Sequence, residues 1–146
     1  MNSSTLDHIS VVVIQWNRRS GSGGGRGELI VLARQLRAAG FLVRMFHNRG
    51  RMDHYIQQQF GEDSVMESGG KQLPLRRRLH CIVAAGGDGT VADVVNRHPG
   101  RPIAVLPLGT ENLLARFLGM KRSGTQVAKA IRAGTTFWLD TAVANG

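Results

Sequence analysis

The sequence has little cysteine, few aromatic residues and no long apolar run. A single cysteine among 146 residues excludes an internal disulfide, and no apolar segment approaches the ~20 residues that span a bilayer. The stretch 1–10 is mostly polar and lacks the pattern of a signal peptide. We therefore expect a cytoplasmic domain in which Cys81, inside an apolar segment, is a small buried core residue.

Acidic residues are also scarce, since 10 Asp and Glu stand against 19 Lys and Arg and give a formal net charge of +9. Such a charge attracts polyanions, and ATP, anionic lipid headgroups and nucleic acid all qualify. We expect no nucleic-acid partner, because few aromatic residues accompany the arginines and no nucleic-acid-binding motif is present. The densest basic cluster, Arg76-Arg77-Arg78, is either solvated or in contact with a membrane surface or a phosphate.

Apolar periodicity predicts alternating strands and helices. The predicted strands lie at 8–16, 41–46, 79–85, 102–107 and 135–143. The predicted helices run over 29–40, over 52–60, from a start near Thr90, and over 123–133, and the stretch 61–78 is predicted as an irregular polar connection.

The most informative segment runs from Leu79 to Thr90, where an apolar strand ends in three glycines around one carboxylate. Its apolar residues do not alternate with polar ones, which is typical of a strand covered on both faces in a parallel sheet. The glycines allow backbone N–H groups to surround an anion at the N-terminus of the following helix. Taken alone, the turn is equally consistent with a simple tight connection between strand and helix.

A second strand-turn-helix unit follows at 102–116 and contains Pro107-Leu108-Gly109-Thr110-Glu111-Asn112. Together with GGDGT at 86–90 and Asn17-Arg18-Arg19-Ser20-Gly21 after the first strand, it resembles the catalytic domain of diacylglycerol kinases. The resemblance extends to sphingosine kinases and bacterial lipid kinases, within the superfamily that includes NAD kinases. It covers residues 11–146, but only the first domain of the family.

This resemblance implies an α/β fold of three layers, doubly wound around a mainly parallel sheet, over 1–146. It also implies transfer of the γ-phosphoryl group of ATP, with Mg²⁺, to a lipid hydroxyl such as that of diacylglycerol, in a protein that contacts anionic membranes peripherally. We expect the family's second, β-rich domain to be absent from this chain. We therefore expect the isolated chain to be inactive and to form homodimers through apolar surface at Phe137, Trp138 and Val143.

The resemblance further implies a catalytic role for Asp88, either in ordering Mg²⁺-bound phosphate or in activating the acceptor hydroxyl. The alternative is a carboxylate that caps the helix and holds the turn together. The implied nucleotide-binding residues are Asn17, Ser20, Gly21, Gly86, Gly87, Asp88, Gly89, Thr90, Asp93, Gly109, Thr110 and Asn112. Asn17 and Asn112 brace the loops or contact the nucleotide. The histidines show no metal-ligand spacing, so no complete metal site is predicted.

Four positions depart from the family pattern. Phe46 replaces a threonine, Ala92 replaces an asparagine, and Leu113 replaces an aspartate that many relatives have, while Asp93 shortens a glutamate. These changes bear on nucleotide affinity and selectivity. An NAD-kinase-like phosphotransferase, which shares GGDGT but normally lacks the PLGTxN form, and a non-catalytic nucleotide- or lipid-sensing module are the alternatives.

Overall fold

The computed structural model describes residues 8–19, 25–61 and 76–140. In chain order the elements are β1 (His8–Trp16), α1 (Gly25–Ala38), β2 (Leu42–Phe46), α2 (Arg49–Phe60), β3 (Arg76–Gly86), α3 (Asp88–Arg97), β4 (Ile103–Pro107), α4 (Leu113–Phe117) and α5 (Gly124–Ala133). Within these ranges no helix is both long and apolar enough to cross a bilayer.

The four described strands form one parallel sheet in the order β2-β1-β3-β4. The central pair is β1 and β3, in which Val13 lies opposite Ile82 and Gln15 opposite Ala84. From β1 the chain passes outward to β2 and then returns across β1 to β3, so the strand order reverses between β1 and β3. In open α/β sheets, ligands bind at the carboxyl ends of the strands beside such a reversal.

Helices cover both faces of the sheet, which confirms the three-layer doubly wound α/β fold. On one face, Leu32 and Leu36 of α1 pack with Ile131 of α5 against the sheet. On the other face, Met52 of α2 and Val94 of α3 belong to a second buried cluster. Because both faces are covered, the apolar runs of β1 and β3 are buried without alternation, as the sequence predicted for the segment that forms β3.

Cys81 is a core residue, as expected, with 6% of its surface exposed. Burial disfavours the charged thiolate and raises the pKa of the Cys81 thiol to about 12. The thiol is therefore protonated at physiological pH and packs as a small apolar group.

Two predictions of secondary structure were wrong in part. The irregular connection predicted over 61–78 does not include Arg76-Arg77-Arg78. This cluster begins β3, because its backbone pairs with the first residues of β1. Residues 134–140 form no strand, although one was predicted over 135–143. A strand needs a partner edge, and within the described ranges β4 pairs with β3 alone. Positions 62–75 and 141–143 lie outside the described residues.

Candidate functional site

A crevice of about 540 Å³ opens at the carboxyl ends of β1, β2 and β3, beside the reversal of strand order. It is lined by Gln15, Trp16, Asn17, His47, Arg49, Gly87, Gly89, Thr90 and Asp93. Asn17, Gly87, Gly89, Thr90 and Asp93 were predicted as site residues, and the fold brings these distant positions to one place. Gln15, Trp16, His47 and Arg49 were not predicted.

The crevice is lined in part by the turn between β3 and α3, which we call the first glycine turn (86–90). The carbonyl of Gly87 accepts hydrogen bonds from the N–H groups of Thr90 (3.1 Å) and Val91 (3.2 Å), which closes the first turn of α3. The N–H groups before them have no partner within the helix, and they lie at the positive end of its dipole. A Cβ added to Gly89 would meet no atom within 4 Å, so a ligand can approach the backbone there.

The turn after β4, which we call the second glycine turn (107–112), packs directly against the first. The Leu108 N–H donates to the Gly86 carbonyl at 2.9 Å. A Cβ on Gly109 would lie 2.5 Å from Cα of Gly87, a separation that real Cβ atoms do not reach. The two turns therefore contact each other glycine to glycine, and neither position accepts a side chain without a shift of the backbone.

Asn112 holds the second glycine turn in shape. Its backbone is left-handed, with φ of 53°, a conformation that asparagine tolerates better than most residues. Its side-chain Oδ1 accepts from the Gly109 N–H at 2.9 Å, and its Nδ2 donates to the Gly109 carbonyl at 2.8 Å. Asn112 is thus a brace in this structure. Gly109, exposed Thr110 and Asn112 do not line the crevice.

Asn17 braces the loop that follows β1. Its N–H donates to the Ala85 carbonyl of β3 at 3.1 Å, and its Oδ1 accepts from the Arg19 N–H at 3.0 Å. It reaches the crevice from the strand next to the first glycine turn. Ser20 and Gly21, predicted beside it, lie outside the described residues.

Asp88 is the first residue of α3, and its side chain is partly exposed. The N-cap position belongs to Gly87, and no side chain caps this helix end. Among the described residues no side-chain hydrogen bond or ion pair to Asp88 is present. Within that part of the chain the carboxylate is therefore free of side-chain partners, and neither Asp88 nor Gly86 is among the residues that line the crevice.

Asp93 is tied into a polar network on the wall of the crevice. Its Oδ2 accepts from Gln15 Nε2 (2.9 Å) and from Arg97 Nη2 (2.9 Å), while its Oδ1 pairs with Arg49 Nη2 at 2.9 Å. Partial burial disfavours the charged carboxylate, but the hydrogen bonds and positive charges of these partners outweigh it. The pKa of Asp93 is therefore held below its ordinary value.

The same network continues inward to α2. Arg97 also pairs with Asp53, whose Oδ1 lies 3.0 Å from Nε2 of buried His98. Burial lowers the pKa of His98, and the nearby Arg97 adds to this, against the opposing attraction of Asp53. His98 is thus neutral at physiological pH, and the network links β1, α2 and α3 beneath one wall of the crevice.

Comparison with known proteins agrees with this geometry. The family model described as the diacylglycerol kinase catalytic domain matches residues 10–144 of the chain. The chain belongs to this family. Over 94 residues, the chain is 36% identical to a diacylglycerol kinase of Staphylococcus carnosus, a match that covers 62% of the chain and 28% of the relative. Over 75 residues it is 39% identical to a diacylglycerol kinase of Bacillus subtilis, covering 48% and 25%.

Solved structures show the same fold. The crystal structure of a diacylglycerol kinase from Bacillus anthracis superposes on the domain with a TM-score of 0.57 at 23% identity, and the match covers 88% of this chain and 44% of that one. The matched segments thus amount to about a quarter of the length of the curated relatives and less than half of the solved structure.

Of the departures from the family pattern, Asp93 lines the crevice, whereas Phe46, Ala92 and Leu113 lie outside its lining. Phe46 packs against Tyr55 of α2, with 5.4 Å between ring centroids. Ala92 is exposed on α3, and Leu113, 60% exposed, begins α4. At position 46 the threonine hydroxyl of the family pattern is thus replaced by an aromatic ring that contacts α2.

The basic cluster of the chain lies far from the crevice. Arg76, Arg77 and Arg78 are exposed at the start of β3, whereas the first glycine turn follows its end. A phosphate in the crevice is thus out of their reach, and contact of the cluster with a membrane surface or with another phosphate stays a prediction. Within the described ranges no three His, Cys, Asp or Glu side chains are grouped so that they could hold a metal ion.

Proposed function

We propose that the chain is the nucleotide-binding half of a lipid kinase that transfers the γ-phosphoryl group of ATP to a lipid hydroxyl, such as that of diacylglycerol. The observation that carries the proposal is the first glycine turn, whose accessible backbone opens into a crevice beside the reversal of strand order. Membership of the family supports a kinase. The relatives are longer, which supports a second domain that supplies the lipid pocket.

In this proposal the backbone of the first glycine turn binds the phosphates. Gly87, Gly89 and Thr90, at the start of α3, line the crevice, and the dipole of this helix favours negative charge there. The second glycine turn keeps the first in place through the contact of Gly109 with Gly87. Because the donors are part of a packed backbone, they need little rearrangement when the ligand binds.

Asp88 is the proposed catalytic residue. Its partly exposed carboxylate stands beside the first glycine turn, where it can order phosphate-bound Mg²⁺ or accept the proton of the acceptor hydroxyl. Bound Mg-ATP supplies the phosphoryl group and the cation that neutralises its charge. The enzyme would work at the cytoplasmic surface of an anionic membrane, where its lipid substrate is presented.

A titration with Mg-ATP, followed by backbone NMR, tests the proposal. We expect chemical-shift changes at 87–90, because these N–H groups bind the phosphates, and smaller ones at Gly109, which contacts Gly87. Gly89→Ala places a methyl group where the ligand approaches, without striking another atom of the protein. It should weaken ATP binding while leaving the melting temperature unchanged or slightly higher, since alanine favours helix by about 1 kcal/mol over glycine.

Gly27→Ala is the matched control for this experiment. Gly27 lies in the first turn of α1, its added Cβ also meets no atom within 4 Å, and it does not line the crevice. It should bind Mg-ATP like the unaltered chain. Shift changes confined to Arg76, Arg77 and Arg78 would contradict the proposal and indicate generic binding of anions.

A further inference from the structure

We propose that Arg49 binds the phosphate chain of the nucleotide from the α2 side of the crevice, and that Asp93 positions Arg49 for this contact. The proposal rests on the proposed function of the crevice as a nucleotide site. It adds a binding residue and a positioning residue that the glycine motifs do not contain. The ligand chemistry concerned is a polyphosphate anion.

Arg49 has the location that such a role requires. It is the first residue of α2, directly after the N-cap residue Asn48, and its side chain lines the crevice together with Gly87, Gly89 and Thr90. Among the described lining residues it is the one that carries a permanent positive charge. A phosphate bound at the first glycine turn would therefore have the Arg49 guanidinium in the same crevice.

Asp93 is held so that one oxygen is left for Arg49. Its Oδ2 is occupied by Gln15 and by two nitrogens of Arg97, at 2.9 to 3.2 Å. The Arg97 side chain is 16% exposed and is fixed in turn by Asp53 and Gln15. The remaining Oδ1 faces Arg49 Nη2 at 2.9 Å. The carboxylate is thus rigid, and the direction of the Arg49 side chain follows from it.

The pair can still release Arg49 to a ligand at low cost. The Arg49 side chain is 64% exposed, and an ion pair with such exposure contributes little to stability, about 0–1 kcal/mol. Asp93 keeps its other partners when Arg49 turns, so no buried charge is left alone. The planar guanidinium can hold a phosphate with two parallel hydrogen bonds while its remaining donors stay near Asp93.

The test compares Arg49→Gln with Arg51→Gln in NMR titrations with Mg-ATP, tripolyphosphate and adenosine. Arg51 is an exposed arginine on the same helix that does not line the crevice, so its variant removes the same charge. Arg49→Gln should lower the affinity for ATP and for tripolyphosphate by about 10- to 100-fold, the range for a lost hydrogen bond to a charged group. It should leave the affinity for adenosine unchanged. Arg51→Gln should change the affinity for ATP and for tripolyphosphate by about twofold or less.

A double-mutant cycle tests the positioning role of Asp93. Asp93→Asn should weaken tripolyphosphate binding in the unaltered chain but cause no further loss in Arg49→Gln, because its effect passes through Arg49. Equal losses in both backgrounds would overturn the positioning role, and equal affinities of Arg49→Gln and Arg51→Gln would overturn the phosphate contact.

The outcomes also separate this inference from the proposed function. A chain that binds tripolyphosphate through Arg49 with an affinity equal to its affinity for ATP would support the Arg49 contact and overturn the nucleotide site. A chain that binds neither ligand would overturn both proposals.

Discussion

Asp88 stands out at the scale of single residues because its carboxylate adjoins the first glycine turn and has no side-chain partner among the described residues. In a full-length enzyme that contains this domain, Asp88→Asn should lower kcat by about 100-fold or more, the range for a lost acid-base group. The affinity for ATP should change little, because asparagine keeps the shape of the turn. Steady-state kinetics of lipid phosphorylation would measure both quantities. Near-normal turnover would remove the catalytic assignment.

The residues of the crevice divide into those the sequence predicts and those it misses. Gly87, Gly89 and Thr90 belong to one short motif, in which neighbours along the chain are also neighbours in space. Arg49 and Gln15 belong to no motif, and they meet Asp93 because α2 and β1 both lie beside α3. That arrangement depends on the strand order, which local periodicity does not determine. Any residue at the carboxyl end of a central parallel strand is a candidate for such a site.

At the scale of elements, the contact between α1 and α5 depends on a glycine. A Cβ on Gly124 would lie 2.3 Å from the Glu28 carbonyl oxygen and 2.7 Å from the Leu32 backbone nitrogen. The Gly124 N–H also donates to the Glu28 carboxylate at 2.6 Å. Because the obstacles are backbone atoms of a helix, the two helices must move apart before they can accommodate a side chain.

Gly124→Ala should therefore lower the free energy of unfolding by about 1–3 kcal/mol, the usual cost of overpacking. Gly27→Ala, on the same α1 but with open space for its methyl group, should show no loss. Urea denaturation followed by circular dichroism would measure both variants. Equal stability of the two variants would mean that α1 and α5 separate readily, contrary to the close contact seen here.

Burial and pairing explain which of the elements the sequence predicts. β1 and β3 are buried on both faces, so their apolar runs suffice to identify them as strands. The stretch 135–140 contains Phe137 and Trp138 and has the composition of a strand, but its side chains remain exposed. Composition expresses a preference for the extended conformation, whereas a strand also requires a neighbour with which to pair.

At the scale of the whole molecule, we expect the isolated chain to lack lipid-kinase turnover and to self-associate. The lipid pocket belongs to the proposed second domain, and the described surface exposes Phe117 (76%), Phe137 (67%) and Trp138 (89%). Radiolabelled phosphate transfer to diacylglycerol in mixed micelles and light scattering at micromolar protein would measure the two properties. Robust transfer by residues 1–146 would refute the half-enzyme interpretation.

The variant Trp138→Ser tests whether exposed aromatic side chains cause the self-association. It removes an apolar side chain that does not line the crevice, so it should reduce self-association and leave ATP binding unaltered. A strictly monomeric unaltered chain would instead show that these exposed aromatic side chains do not cause association.

The arginines at the start of β3 place positive charge at the end of the sheet opposite the crevice. β3 has 11 residues and separates Arg76 from the crevice by about 33 Å, several times the Debye length of about 8 Å in physiological salt. A bilayer that attracted this end would turn the mouth of the crevice toward the water. Under the proposed function, a lipid hydroxyl reaches bound nucleotide only when the protein contacts the membrane by another face, so we expect Arg76, Arg77 and Arg78 to face the aqueous side.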